Sequence, residues 1–104
     1  MTQIAAREPL LAMDWPGDQK SGIRCVVEQL EELKWKPEMG EPGPTVQIVW
    51  NGPSLVFTKK PIAIFEVTGA TAAKPGRIVM RAVDMDEPDR VRQSWRSKIA
   101  SCSP

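Results

Sequence analysis

The apolar residues of this chain repeat with one period before Pro37 and with another after Pro44, and that switch constrains the fold more than any other feature. In SGIRCVVEQLEELKW, Ile23, Val26, Val27, Leu30 and Leu33 recur at the spacing of one helical face. Glu28, Glu32 and Lys36 fall on the opposite face, where Glu32 and Lys36 make a favourable pair one turn apart. Asp18 or Ser21 can cap the start and Pro37 stops the run, which predicts a helix over 18–36. EMGEPGP (38–44) then reads as a loop, because Gly40, Pro42, Gly43 and Pro44 exclude regular structure.

From Thr45 the alternation is that of a strand. TVQIVW sets Val46, Ile48 and Trp50 on one face against Gln47 and Val49 on the other. Asn51-Gly52 suits a tight hairpin turn, and Leu55–Thr58 returns as a second strand. PIAIFEVTG (61–69) gives a third, with Ala63, Phe65 and Val67 opposite Ile62, Ile64 and Glu66. After the ATAAKPG connection, RIVMRAVDM (77–85) is a fourth strand rich in β-branched residues. The expected sheet (45–85) is a four-stranded antiparallel meander.

DEPDRVRQSWRSKIASC (86–102) closes the chain as a helix. Asp86 can cap it, Pro88 is tolerated in its first turn, and Glu87 and Asp89 complement the helix dipole. Projected at helical spacing, Val91, Trp95, Ile99 and Cys102 share a stripe about 80° wide, narrow enough to pack on a sheet. The fold class expected is therefore α+β, with both helices on one face of the sheet. Residues 1–17 read as an irregular N-terminal arm, interrupted by Pro9 and Pro16, whose Leu10, Leu11, Met13 and Trp15 are apolar enough to dock.

A chain of 104 residues is the size of one domain and can bury about 65% of its unfolded surface without metal or disulfide staples. The 10 prolines separate apolar segments and do not break them, so they punctuate a folded domain. A net charge of +1 gives no bulk attraction to nucleic acid or membrane. No apolar run is long enough to span a bilayer, and the N-terminus lacks the basic leader and apolar stretch of a signal peptide. With two cysteines, Cys25 and Cys102, the expectation is a cytoplasmic protein with reduced thiols.

The sequence contains no histidine and no tyrosine, which removes the commonest acid–base group at neutral pH. Asp84, Asp86, Glu87 and Asp89 form the densest acidic group, and helix capping explains them better than a cation site. Cys25 and Cys102 form no zinc spacing, and GATAAKPG lacks the Gly-Lys-Ser/Thr ending of a phosphate-binding loop. Neither an enzyme nor a cofactor is expected.

Tryptophan supplies 4 of the 6 aromatic residues, and it is the residue type most enriched at the centres of interfaces. Trp50 and Trp95 have core phases, but Trp35 falls off the apolar stripe of the first helix. It marks a partner-binding patch of Glu28, Glu32, Trp35, Lys36, Glu38 and Glu41, beside a proline-stiffened loop that loses little entropy on docking. The function expected is a small protein-binding module that inhibits or adapts a larger partner, of the kind that phages and mobile elements make against host defences.

Two alternatives stand beside it. One is a structural subunit of an assembly such as a phage particle, joined through strand edges. The other is nucleic-acid binding through Arg77, Arg81, Arg90, Arg92 and Arg96. The bases of the last helix surround its core stripe and do not gather on one exposed face, which disfavours that reading. Charge reversal at Arg92 and Arg96 is accordingly expected to leave stability nearly intact.

Overall fold

In the computed structural model, residues 8–32, 37–51, 61–82 and 88–102 are described. The elements in chain order are β1 (Leu11–Trp15), α1 (Gln19–Glu32), β2 (Pro37–Met39), β3 (Thr45–Asn51), β4 (Pro61–Thr68), β5 (Gly76–Ala82) and α2 (Pro88–Ala100). The five strands form one sheet in the order β1-β5-β4-β3-β2, and every neighbouring pair is antiparallel. The architecture is α+β, as the change of period implies.

The sheet has five strands where the sequence predicts four. Two of them lie in segments read as irregular. Pro9 and Pro16 bracket β1 and leave it intact, and between them Leu11, Met13 and Trp15 alternate with Ala12 and Asp14. That period-two stretch pairs with β5 from Leu11↔Met80 to Trp15↔Gly76. β2 occupies the stretch read as the loop after Pro37, pairing with β3 from Pro37↔Trp50 to Met39↔Ile48. Gly40 extends this pairing through its N–H to the Gln47 carbonyl, at 2.7 Å.

The strand expected at Leu55–Thr58 and the turn at Gly52 lie outside the described residues. In the sheet β3 and β4 are direct neighbours, paired from Thr45↔Thr68 to Asn51↔Pro61. The capping role of Asp86 and the positions Trp35 and Lys36 also lie outside the described residues.

Strand alternation builds the core. Val46 and Ile48, Ala63, Phe65 and Val67, Ile78 and Met80, and Leu11 and Trp15 are buried, and partners in register share a face. Against them pack Cys25, Val26 and Leu30 of α1 with Trp95 and Ile99 of α2, in a single cluster. Trp95 lies 4.7 Å from Phe65 and 6.1 Å from Trp50, ring centre to ring centre, tilted in both contacts as aromatic quadrupoles prefer.

Gly22 lets α1 come this close. A β-carbon there would sit 2.8 Å from Val67 Cγ1 and 3.2 Å from the Trp15 indole. Gly76 does the same between strands, since its β-carbon would meet the Thr68 carbonyl at 2.8 Å and the Trp15 carbonyl at 3.0 Å.

Asp18, one of the two candidate caps, starts α1: its Oδ1 accepts the Ser21 N–H at 2.8 Å. The Trp15 indole N–H reaches the Asp18 carbonyl at 3.0 Å and Ser21 Oγ at 3.1 Å, so the end of β1 and the start of α1 form one corner. Gln19 Nε2 lies within reach of the carbonyls of Gly43, Pro44 and Val67, and ties that corner to the far side of the sheet.

The cysteines are joined, which overturns the expectation of reduced thiols. Cys25 in α1 bonds Cys102, just past the end of α2, with a Cα–Cα distance of 5.8 Å across 77 residues of sequence. Cys25 is on the buried side of α1 and Cys102 continues the apolar stripe of α2, so packing the two helices together brings the sulfurs within reach. Among the described residues, no helix is long and apolar enough to cross a membrane.

Candidate functional site

Three surfaces carry the residues singled out from the sequence. The first is the edge of the sheet at β2. Glu38 and Glu41 are exposed there. Between them Met39 is 52% exposed, a large apolar side chain left in water. It points to the same side of the sheet as Ile48, its partner in register, but lies beyond the cover that buries Ile48. Glu32, the last residue of α1, is exposed. Glu28 is exposed too, but it belongs to a different surface, the groove beside the disulfide. The binding patch inferred from the sequence is thus distributed over two places.

The second surface is that groove, of about 310 Å³, lined by Ser21, Arg24, Cys25, Glu28, Gln29, Ser101 and Cys102. Among the described residues its walls are polar apart from the two sulfurs, and Arg24 is their one cationic side chain. At its rim, the Ser21 N–H and then the Ser21 hydroxyl hold the Asp18 carboxyl below the ordinary carboxylate range.

The third comprises the five arginines, two on β5 and three on α2. Arg77 is exposed and faces Asp14 in register. Arg81 is ion-paired with Glu66 across β4 and β5, on the sheet face opposite Phe65. On the same face Ile64 is only 4% exposed, with Val49 and Arg81 as its register partners. Arg92 donates from Nε to the Leu10 carbonyl at 2.6 Å and from a terminal nitrogen to Asp89 at 2.5 Å.

Arg92 is therefore a tie between α2 and the strand-entry backbone, and the expectation that its charge can be reversed without cost is corrected. Arg96 is exposed and shares with Asp89, Arg92 and Gln93 a groove of about 350 Å³. Arg90 is exposed at the start of α2. Asp89 alone of the acidic group around 84–89 lies among the described residues, and Arg92 engages it.

Among the described residues no group of three or more His, Cys, Asp or Glu side chains is placed to hold a metal ion. Sequence reasoning missed the groove at the disulfide, the exposed Met39 and one buried polar atom, Trp50 Nε1, which has no hydrogen-bond partner among the described residues. The period-two phase of Trp50 was legible, but not that its indole N–H would be enclosed beside Trp95. No family model, no curated protein and no solved structure matches the chain.

Proposed function

We propose that this protein is a small non-enzymatic binding module, an inhibitor or adaptor of a larger protein, that docks its partner along the acidic edge at β2. In this reading both helices cover one face of the sheet, and the partner is met at the rim where that cover ends. The observation that carries it is Met39: half exposed, on a three-residue strand at the end of the sheet order, between Glu38 and Glu41. An exposed apolar side chain on an edge strand, with acidic residues close by in sequence, suits an interface anchor. A short edge strand can also take an added strand from a partner, and the glutamates favour a basic one. In the sequence, Trp35 and Lys36 directly precede β2. Residence in the cytoplasm would keep the Cys25–Cys102 bond under reducing pressure, whereas an oxidising compartment would preserve it.

The test is affinity capture from the native host, followed by a measured Kd for the captured protein. Met39→Asp is expected to weaken that complex by about 2 kcal/mol, roughly 30-fold. Glu38→Lys with Glu41→Lys is expected to slow association and to reduce its dependence on salt. Affinity unchanged in both variants would remove the β2 edge from the interface.

A further inference from the structure

The groove beside the disulfide has a shape and charge that the binding-module reading does not use. Cys25 is 4% exposed, whereas Cys102 is half-buried, and both line the same groove. A thiolate attacks a disulfide along the line of the S–S bond, so the sulfur that can be approached from solvent is the one attacked. Here that is Cys102. Cys25 belongs to the buried core cluster and is the less accessible of the two.

The groove is also dressed for an anionic visitor that carries amides and carboxylates. Arg24 supplies the positive charge, and Ser21, Gln29 and Ser101 supply hydrogen-bonding groups. Glu28, at the same wall, opposes a ligand of uniform negative charge and favours one that also bears an ammonium group. The zwitterionic peptide thiols of the glutathione class have that pattern.

We infer that Cys102 is a site of reversible S-thiolation by a small zwitterionic peptide thiol bound in this groove. The thiolate RS⁻ forms a bond to Cys102 Sγ while the Cys102–Cys25 bond breaks and its electron pair leaves on Cys25. Cys25 then takes a proton from solvent, and its thiol has an acceptor in the Ile99 carbonyl, 3.9 Å from its sulfur. A second RS⁻ attacks the outer sulfur of the adduct, which releases RSSR and leaves Cys102 as thiolate. Two electrons have then passed from two thiols to the protein disulfide.

The experiment titrates the folded protein with glutathione and its disulfide at set ratios. Free thiols are trapped by alkylation, and intact mass and peptide mapping follow. One glutathionyl group on Cys102, with Cys25 alkylated, is expected to accumulate at intermediate ratios. Arg24→Glu, a change at an exposed position, is expected to slow formation of the adduct about three- to tenfold. It should slow the thiolate of mercaptoethanol, which carries no carboxylates, distinctly less. An adduct on Cys25, equal slowing with both thiols, or exchange whose rate rises with urea as global unfolding does would each overturn the inference.

Discussion

β1 closes one edge of the sheet with five residues, of which Leu11 and Trp15 are buried, whereas β2 closes the other with three, none of them buried. Hydrogen bonds to the two helices hold β1 at both ends. Arg92 bonds the Leu10 carbonyl just before it, and the Trp15 indole bonds the first turn of α1 just after it. β2 has Pro37 at one end and Gly40 beyond the other, and its Met39 is left in water. A strand edge is a template for pairing, and proteins either cover it or use it. The contrast assigns β1 to the first course and marks β2 for the second.

Removing the disulfide should have the largest effect, and should strike the β1 side. Closing a loop of 77 residues restricts the unfolded chain by roughly 4 to 5 kcal/mol on the chain-entropy account. Cys102→Ser should lose much of that in denaturant unfolding. Because α2 holds β1 through Arg92, native-state hydrogen exchange should rise at Leu11–Trp15 before it rises at β3 and β4. Uniform acceleration across the sheet would mean that α2 does not hold β1 separately.

Trp15→Ala tests the same edge from within. Trp15 is buried, touches the position of Gly22 and donates to Asp18 and Ser21. Its truncation should cost roughly 3 to 5 kcal/mol, the range for a large core aromatic. A loss of about 0.5 kcal/mol, the scale of an ordinary surface change, would show that β1 is not anchored.

These two edges also show what could be read without coordinates. The alternation of Val46, Ile48 and Trp50 was legible, as was the stripe of Val91, Trp95 and Ile99, because each is long enough for its period to show. β1 was not, since only six residues separate Pro9 from Pro16, and docking decided their conformation. β2 is shorter still, set among glycine and proline, and exists because β3 offers it a partner. The disulfide depends on two helices meeting at one point, which no local pattern encodes. At the candidate site, Glu38 and Glu41 were named from the sequence, but the exposed apolar residue between them was not.

Arg92→Ala should cost about 1 kcal/mol, the net value of a hydrogen bond lost where the side chain still meets water. Arg96→Ala, at an exposed position, should change stability by less than about 0.5 kcal/mol. Equal effects of the two would remove the tie between α2 and Leu10 from the account of β1.

A smaller effect, dependent on pH, belongs to the corner that follows β1. Donation from Ser21 lowers the Asp18 carboxyl below its unfolded value, so Asp18 contributes stability above about pH 4, the unfolded carboxylate value. That contribution declines as pH falls through the folded value, because protonation removes the charge that the Ser21 N–H favours. Asp18→Asn retains a good cap and removes the titration. Its unfolding midpoint should therefore lose the part of the acid dependence that wild type shows below about pH 4. Unchanged acid dependence would place that titration in other carboxylates.

The smallest expected change in stability falls at Met39, and there the two edges separate most clearly. Half of its surface is already in water, so Met39→Ala removes little burial and should shift unfolding by less than about 0.5 kcal/mol. Trp15, on the opposite edge, cannot be truncated so cheaply. If β2 is the edge put to use, the same Met39→Ala should weaken the partner complex by at least about 1 kcal/mol, five-fold or more. Stability and affinity would then respond in opposite order at the two edges: Trp15 governs folding, and Met39 governs binding. The outcome that breaks the contrast is a large stability loss from Met39→Ala with the affinity of the folded fraction unchanged. In that case Met39 helps to seal the end of α1, β2 is a structural edge like β1, and the partner surface moves to the sheet face that carries Arg77, Arg81 and Glu66.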